Sequence, residues 1–271
     1  MAGSQIISRR AALAGLGVAA SGCATSGERG GLARVDGLNI EYTRRGHGRP
    51  TIVFESGLGD GMGVWEQTIA GLHSGVATFA YSRPGYGAST PTDDAERTSE
   101  EAAALLKATL RAAGVHPPYI MVGHSLGGLY IAKFADIYSS DVLGMVFVDA
   151  RPPRFRALCE QRGVARCAGG LPQPERPPAA AAEGAGVRAS EDSAPFPRRI
   201  ASIPATIIAS TTEWTGEGGA TAHALWMEAQ IAFYQRFEDA RFVRAEGAGH
   251  YVQRDRPDLV ATEIDRLIAR L

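Results

Sequence analysis

The chain has 271 residues, 45% apolar and 21% charged, an ordinary composition for a folded globular protein and a length that suits one α/β domain or two small ones. Its 28 Lys and Arg offset 29 Asp and Glu to a formal net charge of −1, so no nucleic-acid binding and no global steering field is expected. No repeat at solenoid or propeller periods is present.

In chain order, residues 1–22 read as an export signal. Ser8-Arg9-Arg10 precedes the weakly apolar run Ala11 to Ala20, which is shorter than the roughly 20 apolar residues a bilayer span needs. Paired arginines before an Ala/Gly-rich run resemble a twin-arginine signal. Ala20-Ser21-Gly22-Cys23 resembles a bacterial lipobox, which implies lipidation of Cys23 and an exported protein, periplasmic or membrane-anchored. The other reading is a plain cleaved signal with an incidental cysteine. Residues 23–37 read as a linker.

From residue 38 strands and helices alternate. Strands are expected at 39–42, 51–55, 77–81, 119–123, 142–148, 205–209 and 241–244. Helices are expected at 63–73, 97–113, 126–138, 221–237 and 257–270, with Ala103, Leu106 and Leu110 on one face of the second. Short buried runs separated by helical stretches call for an α/β fold with a mainly parallel sheet covered on both faces, over 38–150 and 200–271. Residues 151–199 interrupt the rhythm as a lid insertion. Its first part, 151–167, reads as ordered, and 169–195, rich in Pro, Ala, Gly and Arg, as loop. Arg151, Arg154, Arg156, Arg162 and Arg166 face a single nearby acid, Glu160; the set reads as a solvated basic face, the alternative being a site for an anionic group. Cys159 and Cys167, eight apart in an exported chain, are expected to form a disulfide.

Gly123-His124-Ser125-Leu126-Gly127 follows a strand and opens a helix, the context of a nucleophile elbow, in which a tight turn lifts the serine hydroxyl above the sheet. A serine hydroxyl needs a base. His250, after the last strand, has the fitting context, whereas His124 occupies the variable position of the elbow. An oxyanion needs fixed backbone donors. The Leu126 amide is one, and the Leu58 amide in Ser56-Gly57-Leu58-Gly59 is the chosen second. Two acids compete to orient His250. Asp149 is short and follows the apolar run Met145–Val148; Glu213 is longer and enters the Gly-rich loop Trp214–Gly219. The acid must be buried and rigid, which favours Asp149 over Glu213.

Phe54-Glu55-Ser56-Gly57-Leu58-Gly59-Asp60, Tyr81-Ser82-Arg83-Pro84-Gly85-Tyr86-Gly87, Val122 to Gly128 and Gly249-His250 occur in this order and resemble the bacterial α/β-hydrolase superfamily related to esterases and lactonases. The chain departs from it at Ser82, where Asp is usual. The resemblance implies an α/β-hydrolase fold, the chain order nucleophile, acid, base, and no cofactor or metal. Relatives with a Gly-Leu-Gly-Asp loop resemble proteins whose acid is an Asp at the position of Asp149. Dehalogenases and epoxide hydrolases of this fold use an aspartate nucleophile, so Ser125 argues against both. The expected activity is that of a serine hydrolase acting on a small-molecule ester through an acyl-enzyme, with lactone or amide as alternatives on the same residues. A non-catalytic binder or sensor of this fold is the contrasting class.

Overall fold

The computed structural model describes residues 29–73, 75–168, 176–193 and 198–271. The expected export signal and Cys23 lie outside the described residues. Among those described, eight strands form one sheet: β1 (Arg29–Val35), β2 (Leu38–Arg45), β3 (Thr51–Glu55), β4 (Ala77–Tyr81), β5 (Tyr119–His124), β6 (Val142–Val148), β7 (Ala205–Ser210) and β8 (Ala240–Ala245). Their order is β1-β2-β4-β3-β5-β6-β7-β8. The first two pairings are antiparallel and the rest parallel. The helices are α1 (Glu66–Gly71), α2 (Ser99–Ala112), α3 (Leu126–Ile137), α4 (Phe155–Gln161), α5 (Ala165–Ala168), α6 (Pro178–Asp192), α7 (Arg198–Ala201), α8 (Gly219–Tyr234), α9 (Val252–Asp255) and α10 (Pro257–Ile268).

Strands β3, β4, β5 and β7 are buried at every position because both of their faces are covered. Alternate residues point to opposite faces. Val53, Phe79, Met121, Met145, Phe147 and Ile207 join one core with Leu106 and Leu110 of α2, Phe134 of α3 and Phe233 of α8. Their neighbours Ile52, Phe54, Ile120, Val122, Val146 and Ile208 join the other with Trp65, Val260 and Ile264. Helix α2 starts where its sequence says it should: Thr98 and Glu101 form a reciprocal capping box. Ser82 donates to Glu41 Oε2 at 3.0 Å, and the same carboxylate accepts the Ala88 amide at 3.0 Å.

Two boundaries differ from the sequence reading. The expected linker 23–37 contains β1, so the described sheet begins at Arg29. Its signal is weak because only Ala33 and Val35 are buried on this edge strand, while Leu32 is exposed. Asp36 and Gly37 both take positive φ and close the β1–β2 hairpin. The second correction is α6, which places a 15-residue helix inside the stretch read as loop. Pro178 sits at its first turn, where a missing amide hydrogen costs nothing, and an alanine run of high helix propensity follows.

Three arginines of the basic stretch 151–166 pair with acids, most of them distant in sequence. Arg151 pairs with Glu191 at 2.5 Å, Arg156 with Glu160 and Asp192, and Arg162 with Glu228 at 3.0 Å. Arg166 donates to the Glu217 carbonyl. Cys159 and Cys167 are joined by a disulfide and pack with Phe155, Leu225 and Trp226, tying α4 to α5 over α8. A bridge spanning a loop this short stabilises by about 2.5 kcal/mol in the chain-entropy treatment. Replacing both cysteines with serine is expected to lower Tm by roughly 5–10 °C for a domain of this size. An unchanged Tm in the double variant would show that the bridge contributes nothing.

Candidate active site

Strand β5 lies at the middle of the sheet, and at Ser125 the chain turns sharply into α3. Ser125 holds φ 49° and ψ −119°, a strained conformation for a residue with a side chain. The turn brings the start of α3 against the end of β3. A Cβ on Gly127 would lie 2.5 Å from the Glu55 carbonyl oxygen, so only glycine fits there. The Leu126 amide opens α3, where first-turn N–H groups have no acceptor within the helix. Leu58, in the loop after β3, packs against the cluster of Leu126, Leu129 and Tyr130, and a Cβ on Gly57 would lie 3.3 Å from Ser125 Cβ, so the two segments expected to donate to an oxyanion are adjacent.

His250 lies between β8 and α9. Its Nε2 is 2.9 Å from Ser125 Oγ, and its Nδ1 is 2.7 Å from Asp149 Oδ2. Asp149 directly follows β6, has positive φ and is wholly buried. Its carboxylate also accepts the Ser210 amide at 2.9 Å, the Ser210 hydroxyl at 3.0 Å and the Trp226 indole N–H at 3.0 Å. Burial pushes this carboxyl up, but the hydrogen bond and charge of His250, with the Ser210 and Trp226 donors, outweigh it and hold the pKa below the usual value. An ionised Asp149 keeps the imidazole hydrogen on Nδ1 and leaves the Nε2 lone pair for the serine hydroxyl. The other candidate acid, Glu213, is exposed beyond β7 and makes no hydrogen bond or ion pair to the imidazole.

Sequence reading left His124 aside, yet it joins the segments of the site. Its Nε2–H donates to the His250 carbonyl at 2.9 Å. Its buried Nδ1 has no hydrogen-bond partner and faces Gly57, where a Cβ would lie 2.7 Å away. Burial, then the nearby His250, lowers its pKa to about 3. The folded value lies below the unfolded one, near 6.5, so between these values the unfolded chain binds more protons and stability rises with pH. This contribution is complete above about pH 6.5 and is lost as pH falls toward 3, with a slope of up to about 1.4 kcal/mol per pH unit. His124→Gln is expected to flatten that slope in urea unfolding measured from pH 4 to 7. An unchanged slope would contradict the assignment.

Two walls flank Ser125. Leu58 and Val187 of α6 pack over Leu126, Leu129 and Tyr130 on the oxyanion side. On the His250 side, the Trp226 and Trp214 rings lie 5.6 and 6.4 Å from the imidazole. Among the described residues no group of three or more His, Cys, Asp or Glu side chains is placed to hold a metal, and no helix is long and apolar enough to cross a membrane.

A mostly parallel sheet with a serine elbow at its centre, an aspartate after β6 and a histidine after β8 defines the α/β-hydrolase class. The chain belongs to the alpha/beta hydrolase family, whose model matches residues 52–263. It is 36% identical over 106 residues to the uncharacterized protein YqjL of Bacillus subtilis, covering 39% of this chain and 42% of that one. It is 29% identical over 137 residues to the esterase Rv0045c of Mycobacterium tuberculosis, covering 49% and 45%. The chain thus spans less than half the length of these relatives. In fold it is similar to an esterase from Thermogutta terrifontis, with TM-score 0.68 and 17% identity over 90% of this chain and 98% of that one. It is also similar to the enol-lactonase from Burkholderia xenovorans LB400, with TM-score 0.62 and 17% identity over 88% and 99%.

Proposed function

We propose that this hydrolase cleaves a carboxylic ester through a serine acyl-enzyme. The observation that carries the reading is the continuous hydrogen-bonded line from Ser125 through His250 to a buried, ionised Asp149. Ser125 Oγ attacks the ester carbonyl carbon while His250 Nε2 takes its proton. The oxyanion receives the Leu126 and Leu58 amides. As the C–O bond to the alcohol breaks, His250 returns the proton to the leaving oxygen. Water then attacks the acyl-enzyme by the same route and restores Ser125. Throughout, Asp149 holds the imidazole tautomer and stabilises its charged form without itself taking the proton.

Esterase relatives support an ester as the bond cleaved, and a lactone opens by the same steps. From residues 8–23 alone the proposal extends to export and lipid anchoring through Cys23. The chemistry is tested with p-nitrophenyl esters of graded acyl length, followed from the first turnover. The expected result is steady turnover on a subset, preceded by a burst of one product per chain wherever deacylation is slower. Absence of turnover on all esters and lactones offered would leave the fold without this activity.

A further inference from the structure

We propose that Glu183, on the lid helix α6, is a positioning residue that aims the oxyanion-binding peptide between Gly57 and Leu58. The proposal rests on the serine-hydrolase reading. Arg83, after β4, is 1% exposed and grips the loop after β3 by its backbone. Its Nη1 donates to the Ser56 carbonyl at 2.8 Å and its Nη2 to the Gly57 carbonyl at 2.7 Å. The Gly57 carbonyl and the Leu58 N–H belong to one planar trans peptide, so they point in opposite directions. Whatever draws the Gly57 oxygen toward Arg83 therefore turns the Leu58 N–H the other way. A cation on that oxygen also polarises the peptide and strengthens its N–H as a donor.

The orientation of Arg83 is set from two sides. Glu55, at the end of β3, accepts Nη1 at 2.6 Å. Glu183 accepts Nε at 2.6 Å and Nη2 at 3.1 Å, the side-on fork that fixes the plane of a guanidinium. Without Glu183, Arg83 is held by carboxylate at one end only. The Glu183 carboxylate further accepts the Tyr86 hydroxyl at 2.8 Å, Arg97 Nη1 at 3.2 Å and, more weakly, the Gly59 amide at 3.4 Å. Leu58 is thus tied on both sides to one lid side chain, at Gly57 through Arg83 and at Gly59 directly. Glu183 is wholly buried. Burial pushes its carboxyl up, but the charge and hydrogen bonds of Arg83 outweigh this, followed by the Tyr86 hydrogen bond and the charge of Arg97, and keep it below the usual range. Helix α6 also carries Val187 on the wall of the site, so docking the lid and shaping the oxyanion loop are one event.

The test compares Glu183→Gln with wild type in ester hydrolysis, in binding of an alkylboronic acid that forms a tetrahedral serine adduct, and in Tm. Loss of one oxyanion donor costs about 100- to 1000-fold in kcat, and a misaimed donor is expected to cost about 10- to 100-fold. KM should stay within about twofold, and boronate affinity should fall in the same ratio as kcat/KM. A lowered Tm with wild-type kcat and boronate affinity below the unfolding temperature would overturn the proposal, leaving Glu183 a stability residue. A wild type that hydrolyses no ester and takes no fluorophosphonate would instead overturn the hydrolase reading and this proposal with it. If Glu183→Gln does not fold, Tyr86→Phe removes one hydrogen bond to the same carboxylate without changing charge. It should lower kcat roughly two- to fivefold at constant KM, and wild-type kcat in that variant would also overturn the proposal.

Discussion

Replacing Ser125 with alanine is expected to lower kcat for ester hydrolysis by roughly 10⁴- to 10⁶-fold while leaving the protein folded. The backbone contacts that hold the elbow do not involve the hydroxyl. The Ser125 amide donates to the Val148 carbonyl at 3.3 Å, and the Ser125 carbonyl accepts the amides of Gly128 at 3.0 Å and Arg151 at 2.8 Å. Alanine keeps these bonds and loses only the contact of Oγ with His250 Nε2. Residual rate over water is expected from the oxyanion donors and binding. The measurement is kcat on the best ester, beside circular dichroism and Tm. Turnover within tenfold of wild type in a clean preparation would remove Ser125 from its role.

Asp149→Asn should be nearly as damaging, with a loss of about 10⁴-fold in kcat. The reason lies in the donors around the carboxylate. The Ser210 amide and the Trp226 indole both point at Oδ1, so the amide oxygen of asparagine must take that position. Its NH₂ group then faces His250 Nδ1, where Oδ2 stood. The imidazole can satisfy that donor only by presenting a lone pair at Nδ1, which moves its hydrogen to Nε2, where it can no longer accept the serine proton. Glu213→Gln serves as the comparison, since Glu213 is exposed and makes no hydrogen bond to His250 or Asp149, and its kcat should stay within about twofold of wild type. Equal losses in the two variants would contradict the assignment of the acid.

Legibility in the sequence followed burial. The strands read at 51–55, 77–81 and 142–148 coincide with β3, β4 and β6, because central strands covered on both faces are short apolar runs cut off by turns. Edge strand β1 gave no such run, although the Asp36-Gly37 pair is a hairpin signal that a search for turns would have found. Helix α6 was hidden by proline and glycine nearby, while its alanine run pointed the other way. The elbow and His250 stood out because each sits at a strand end. The structure brings Ser125 and His250 together with Asp149 and leaves Glu213 apart. The preference for a short side chain after an apolar run followed the requirement for a rigid, buried carboxylate. Glu183 was invisible for another reason. Its main partner, Arg83, is 100 residues away, and no local pattern marks a carboxylate as buried when the charge that neutralises it comes from another element. The place of His124 was equally hidden, since its hydrogen-bond partner belongs to the His250 loop and its close neighbour is Gly57.

Reaction of the folded wild-type chain with a fluorophosphonate, read by intact mass and then by peptide mapping, tests the central claim most directly. The phosphorus atom is attacked by a serine whose proton an adjacent base can take, and the adduct resembles the tetrahedral intermediate. The expected result is one adduct per chain on the peptide bearing Ser125, with loss of esterase activity in proportion to labelling. No adduct, or an adduct elsewhere that leaves Ser125 free and activity intact, would contradict a serine nucleophile at this site.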